Sequence, residues 1–249
     1  MTIYNKLKNI IENIPVNFFD NKIHLYINDK KLEKIAKKND LQIKKIIKSD
    51  KNYKNKFFHV SIKEFIYPFI NTKDNYSTWL GSNLYKNPHG IWLSCGLSWQ
   101  NFIGNLPNPW SLATYIYEID ISNTVLHIKS LLELENFINH YMKKNPKITD
   151  IIDWKKVKKN HDGLIISPYL GDKIWGKNSN KFGIYGKTNE NINNYYSKIL
   201  DSEWSKNLFF TAEWYRHWEE SSGVIWNPSI GIRNIKIIKK INLDYILQS

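Results

Sequence analysis

Apolar residues along this chain follow a helical period at first and a strand period later, and the change falls near residue 56. Within residues 1–50, Leu32, Ile35 and Ala36 recur at i, i+3 and i+4, and Leu41, Ile43, Ile46 and Ile47 form a second stripe. This spacing predicts two short helices broken at Asn39-Asp40. Residues 56–61 read as a buried strand with one polar residue in its middle, His59. Residues 90–94 read as a strand led by Gly90, with Trp92 and Ser94 on one face and a turn leading on to Trp99. Residues 114–121 mix β-branched and aromatic side chains, and a turn at Ser122-Asn123 leads to a short strand over 125–128.

Ser130 then opens a helix, with Glu133 placed for a capping box and Leu131, Leu134, Phe137, Ile138 and Tyr141 as its apolar face. Asn145-Pro146 is expected to end it. A second helix starts at Asp153 with Trp154 and Val157 inward, and His161-Asp162-Gly163 leads into a strand stopped by Pro168. Residues 171–200, rich in Gly, Asn, Lys and Tyr, read as a long irregular loop. A helical stretch over 211–220 and strands over 222–227 and 232–241 complete the chain. The expected organisation is a helical N-terminal extension, 1–50, followed by one α+β domain, 51–249. That domain has a split, mostly antiparallel sheet with flanking helices.

Composition changes this picture in two places. The formal net charge is +13, yet nearly all of the positive charge is lysine, and Arg216 and Arg233 are the only arginines. Bidentate phosphate and guanine contacts favour arginine. Lys, Asn and Ile are abundant and share A/T-rich codons, so genome bias accounts for the charge as readily as a nucleic-acid partner does. The N-terminal helices read either as a Lys-rich nucleic-acid module or as a cap on the main domain. A single cysteine, Cys95, excludes an internal disulfide and suits a reducing, cytoplasmic compartment. No apolar run reaches the roughly 20 residues of a membrane-spanning helix, so no membrane partner is expected.

Familiar catalytic signatures are missing: there is no GxGxxG, no Walker A loop, no HExxH, no paired-cysteine zinc pattern and no GxSxG. No metal is expected. A core strand gains nothing from an unpaired histidine, whose burial costs about 1–3 kcal/mol. His59 is therefore either a satisfied structural residue or part of a site. Cys95, with His59 or His89 as base, has the residue types of a nucleophilic pair, although a small apolar core residue is the plainer reading. His217, among Trp214, Trp218 and Glu219-Glu220, reads as a surface histidine on an aromatic helix.

The order of these segments resembles the mono-ADP-ribosyltransferase family, in the branch whose site is a histidine, an aromatic and an acidic residue. Phe58-His59-Val60-Ser61 is similar to that family's aromatic-His-x-Ser/Thr strand. Residues 90–94 followed by 98–102 resemble the strand and helix beside its nicotinamide pocket, and 115–121, 125–128, 130–141 and 152–163 resemble the succession that follows. The resemblance covers about residues 56–235. It implies NAD as substrate and transfer of ADP-ribose to a protein or nucleic-acid acceptor. His59 would bond a ribose hydroxyl, Ser61 would support the same strand end, and Trp92 or Trp99 would stack on nicotinamide. The backbone around Gly90, with Ser94, would line the pocket. Glu219, Glu220 or Asp162 would supply the carboxylate. The family commonly has Tyr where Trp92 stands, and the acidic position is ambiguous. Two other readings stand beside it. One is a basic nucleic-acid-binding protein with a non-catalytic core, in contact through the Lys-rich N-terminal region. The other is an intracellular structural or interaction protein, for which a viral A/T-rich genome fits the composition.

Overall fold

The computed structural model describes residues 30–61, 64, 76–78, 86–88, 90–103, 114–147, 150–175, 211–218 and 220–241. Its strands are β1 (Phe57–Ser61), β2 (Tyr76–Thr78), β3 (Lys86–Pro88), β4 (Ile91–Cys95), β5 (Tyr115–Ile121), β6 (Val125–Ile128), β7 (Met142–Lys147), β8 (Asp150–Ile152), β9 (Gly163–Ile166), β10 (Ser222–Ile225) and β11 (Ile232–Lys240). Its α-helices are α1 (Lys30–Lys48), α2 (Ser98–Ile103), α3 (Leu131–Tyr141), α4 (Trp154–Asn160), α5 (Gly171–Trp175) and α6 (Pro228–Gly231). A 3-10 helix spans Glu213–Trp218.

Seven strands form one sheet in the order β11-β5-β1-β4-β10-β9-β6, antiparallel except for the parallel pair β6/β9. A flat sheet of this order is impossible. Only Ser122–Thr124 link β5, the second strand, to β6, the seventh. Five strand steps at ~4.8 Å would separate them by about 24 Å, whereas the link from residue 121 to 125 reaches at most about 14 Å. The sheet therefore curls. Phe57 on β1 and His127 on β6, four positions apart, meet edge to face with ring centroids 6.0 Å apart. Ser122 N–H donates to the Gly231 carbonyl at 2.9 Å, tying the link to the approach to β11.

The curl gives the sheet a concave and a convex face. Leu93, Tyr117, Ile119, Val125, Ile165 and Ile225 fill the concave side. On the convex side, α3, α4 and the 3-10 helix lie over β4, β10, β9 and β6, burying Phe137, Tyr141, Trp154, Trp214, Tyr215 and Trp218. The inward Trp214, Tyr215 and Trp218 explain why residues 211–220 read as helical. Over β1, β5 and β11 lies α1, whose Ile43 and Ile47 join Phe58, Val60 and Ile116. The mostly antiparallel α+β architecture is thus as the sequence indicates.

Four local expectations differ. The N-terminal stripes belong to one helix, α1, not two. Asn39 and Asp40 are both buried in it, and Asp40 accepts an ion pair from Lys44 at 2.7 Å, one turn on, so it does not break the helix. Helix α3 ends at Tyr141 rather than near Asn145-Pro146, because Met142–Lys147 turns into a hairpin with Asp150–Ile152. Its capping box forms with a shift: Glu133 N–H donates to Ser130 Oγ at 3.2 Å, and the Glu133 carboxylate accepts from the Lys129 amide. The segment expected to be a loop from 171 begins with a helical turn, Gly171–Trp175, and its remainder, 176–200, lies outside the described residues.

Ile47 is 1% exposed between α1 and the sheet. Ile47→Ala is expected to lower unfolding free energy by about 2–5 kcal/mol, read by urea denaturation. An unchanged midpoint would mean that α1 is not part of the cooperative core.

Candidate functional site

His59 owes its position to strand alternation. Phe58 and Val60 face α1, so Phe57, His59 and Ser61 face the concave side. Register carries this across the sheet: His59 pairs with Tyr117 on β5, and Ser61 pairs with Tyr115. On its other side β1 pairs with β4 only through Phe57/Cys95 and Phe58/Ser94. The register pairs of this seam stop as His59 begins, and there the His59 Nδ1 lies 2.7 Å from the Trp92 carbonyl oxygen. A carbonyl only accepts, so Nδ1 carries the proton and Nε2 is the acceptor nitrogen of the neutral ring. Burial pushes the imidazole pKa down to about 4, with the bond to Trp92 opposing part of that shift. His59 is thus a desolvated, neutral imidazole of fixed tautomer, set in the seam where β1 and β4 cease to pair.

Around it are groups that sequence reasoning missed. The Tyr117 ring centroid is 6.4 Å from that of His59, and Tyr115 stacks on Tyr117 at 6.1 Å. Tyr115 Oη donates to Glu64 Oε2 at 3.2 Å, and Lys240 Nζ lies 5.1 Å over the Tyr115 ring and 4.0 Å from Glu64. A histidine, two tyrosines and an exposed carboxylate therefore run in sequence along the concave side of β1 and β5. The i, i+2 spacing of Tyr115 and Tyr117 was visible in the sequence. Their register opposite Ser61 and His59 was not.

The other candidates are placed as follows. Val60 is opposite Ile116 on β5 and shares the convex face with Trp92, whose register partner on β10 is Val224. The Trp92 ring lies against Trp218, at 4.8 Å between centroids, on the opposite face from the imidazole. Its contribution to His59 comes through the backbone. Ser94 Oγ, buried, accepts from Trp99 N–H at 3.2 Å and donates to the Gly96 carbonyl at 3.0 Å, closing the turn into α2. Gly96 takes φ +62° in that turn, a conformation suited to glycine. Trp99 is half-buried in the first turn of α2. Gly90 has a packing reason: a Cβ there would overlap the Ile225 carbonyl of β10.

Asp162 lies before β9, three strands from β1, and its roles are those of a turn. Asp162 Oδ1 accepts from Asn227 Nδ2 at 2.7 Å, and its carbonyl accepts from the Trp226 and Asn227 amides. The structure does not bring Asp162 or the Trp92 ring to His59. Glu219, His89 and the His217 side chain lie outside the described residues. Cys95 shares the concave face, but burial pushes its thiol pKa up to about 11 against a bond to Ser167. It is therefore a poor nucleophile near neutral pH. Among the described residues no group of three His, Cys, Asp or Glu side chains is placed to hold a metal, and no helix is long and apolar enough to cross a membrane.

Comparison with family models, with curated proteins and with solved structures finds no match to this chain.

The depressed His59 pKa has a sign. The unfolded chain, with an ordinary histidine near 6.5, binds the proton first, so folding loses stability as pH falls from about 6.5 towards 4. The slope from one such group is at most about 1.4 kcal/mol per pH unit. Urea unfolding across this window should show wild type losing more stability than His59→Asn. Parallel profiles would mean that His59 titrates normally.

Proposed function

We propose that the protein transfers ADP-ribose from NAD to a macromolecular acceptor. The observation that carries this reading is His59: neutral, desolvated and held by Nδ1 at the seam of β1 and β4. Such a ring presents acceptor polarity at Nε2, which suits the proton of a ribose hydroxyl. Ser61 lies two residues further on the same face, where a second sugar hydroxyl would fall. An aromatic is needed beside the nicotinamide. Tyr117 occupies that place better than Trp92, because its ring shares the His59 face, and Trp99 remains a second candidate.

The chemistry required is modest. The bond from the ribose anomeric carbon to the nicotinamide nitrogen breaks, and nicotinamide leaves with the electron pair. The resulting oxocarbenium-like centre is attacked by the acceptor, whose proton passes to a carboxylate. Glu64, positioned by Tyr115, is the carboxylate described along this face. Glu219 is the alternative from the sequence. Asp162, engaged with Asn227, serves the fold. The split-sheet ADP-ribosyltransferase architecture is the fold this reading entails, and the short β1/β4 pairing supports it.

Nicotinamide release from NAD by the purified chain, with mixed protein and nucleic acid present, is the test. Wild type should release nicotinamide and label an acceptor. His59→Ala should fall at least 100-fold, and loss of the bond to the Trp92 carbonyl should cost about 1–3 kcal/mol of stability while the chain stays folded at the assay temperature. Asp162→Asn should keep turnover while costing about 1–2 kcal/mol of stability through the weakened turn. No turnover in wild type, or full turnover in His59→Ala, contradicts the assignment.

A further inference from the structure

The chain's positive charge is not spread evenly. Residues 30–56 hold eleven lysines against three acidic residues, and β11 holds four basic residues and no acidic one. These two segments carry +12 of the chain's +13, so the remainder is nearly neutral. Lysines also occur elsewhere, as over 143–159, where seven stand against two acidic residues, so it is the net charge and not lysine itself that these two segments concentrate. The fold then brings the two segments together although about 180 residues separate them in sequence. Helix α1 lies over β1, β5 and β11, Ile43 and Ile47 share a core with Ile241, and Asp50 is close enough to Lys236 to feel its charge.

Helix geometry aligns part of this charge. With Ala36, Asp40, Ile43 and Ile47 inward, Lys34, Lys38, Lys45 and Lys48 share the outer face of α1, and all four are exposed. Lys236 and Lys239, also exposed, stand on the neighbouring convex face of β11. The acidic residues nearby are already engaged. Glu33 pairs with Lys37, Asp40 with Lys44, Asp50 and Glu118 with Lys56, and Asp120 with Arg233. Among the described residues none of the six lysines makes an ion pair within 4 Å, although Asp50 feels the charge of Lys236. Lysines on an exposed edge strand also deter strand-to-strand aggregation. That explanation covers β11 and leaves the stripe on α1 without a reason.

We infer that α1 and β11 form one surface that binds the phosphate backbone of nucleic acid. Lysines are point charges without the fork that reads base edges, so the contact is indifferent to sequence. The surface lies on the convex side, away from His59. Binding there holds a polymer without depending on NAD chemistry.

The test is fluorescence anisotropy with a labelled 20-base-pair DNA duplex and an RNA duplex of equal length, each in two unrelated sequences, over a range of salt and without NAD. Wild type should bind all of them, with affinity falling steeply as salt rises, by a log–log slope of about −0.9 per phosphate neutralised. The variant Lys34→Gln/Lys38→Gln/Lys236→Gln/Lys239→Gln should bind at least tenfold more weakly at low salt, with a shallower slope. Lys155→Gln/Lys159→Gln on α4 should behave as wild type, and circular dichroism should show both variants folded. No binding by wild type at low salt overturns the inference, as does an equal loss in both variants. Binding to phosphatidylserine vesicles, with the same variant dependence and no binding to either duplex, also overturns it and assigns the surface to membranes. Because NAD is absent, the result is independent of the transferase reading.

Discussion

The three-residue link between β5 and β6 is the constraint on which the rest of the structure depends. It joins the second strand of the sheet to the seventh, which a flat sheet does not allow. The sheet curls, and its two faces acquire different characters. The convex face is broad enough for two helical layers, α1 on one half and the aromatic group of α3, α4 and the 3-10 helix on the other. The concave face is apolar around Leu93, Ile119, Ile165 and Ile225, and His59 is packed beside it. This is why His59, a residue of ordinary chemistry, sits at a pKa of about 4.

The same curl bears on the pairing of β1 and β4. Their ladder lasts for two register pairs, and the Trp92 carbonyl receives a side-chain donor from His59. A neutral hydrogen bond of this kind contributes about 1 kcal/mol net, less than the cost of burying either group without a partner. The bond fixes the imidazole tautomer as well. Structural need and chemical readiness therefore coincide in one contact. The His59–Tyr117–Tyr115–Glu64 succession extends that contact towards solvent at Lys240.

Much of the local structure was legible because short-range physics decides it. Alternation marked β1 and β5, the Ser130 cap marked α3, and the Asp153 cap marked α4, where Lys156 N–H donates to Asp153 Oδ1 at 3.2 Å. What escaped is what only register or tertiary contact decides. Alternation placed Trp92 and Ser94 together, and it placed His59 away from Val60. Only the pairing of β1 and β4 shows that Trp92 shares the face of Val60 and not that of His59. Asn39-Asp40 looked like a helix break because neither residue favours a helix interior, yet Lys44 and burial keep them there. The charge posed the same difficulty: that the two most basic segments, α1 and β11, lie side by side is decided by tertiary contact and not by composition.

The central claim is that the fold holds His59 as a neutral ring with its proton on Nδ1, facing a site for NAD. Long-range nitrogen–proton NMR of the histidine rings, followed from pH 8 to about pH 4 and repeated with NAD added, tests it most directly. The account predicts that the His59 ring stays neutral with the proton on Nδ1 until the pH approaches 4, and that NAD perturbs its ring resonances. A ring that takes up its second proton near pH 6.5, carries its proton on Nε2, or does not respond to NAD would contradict it.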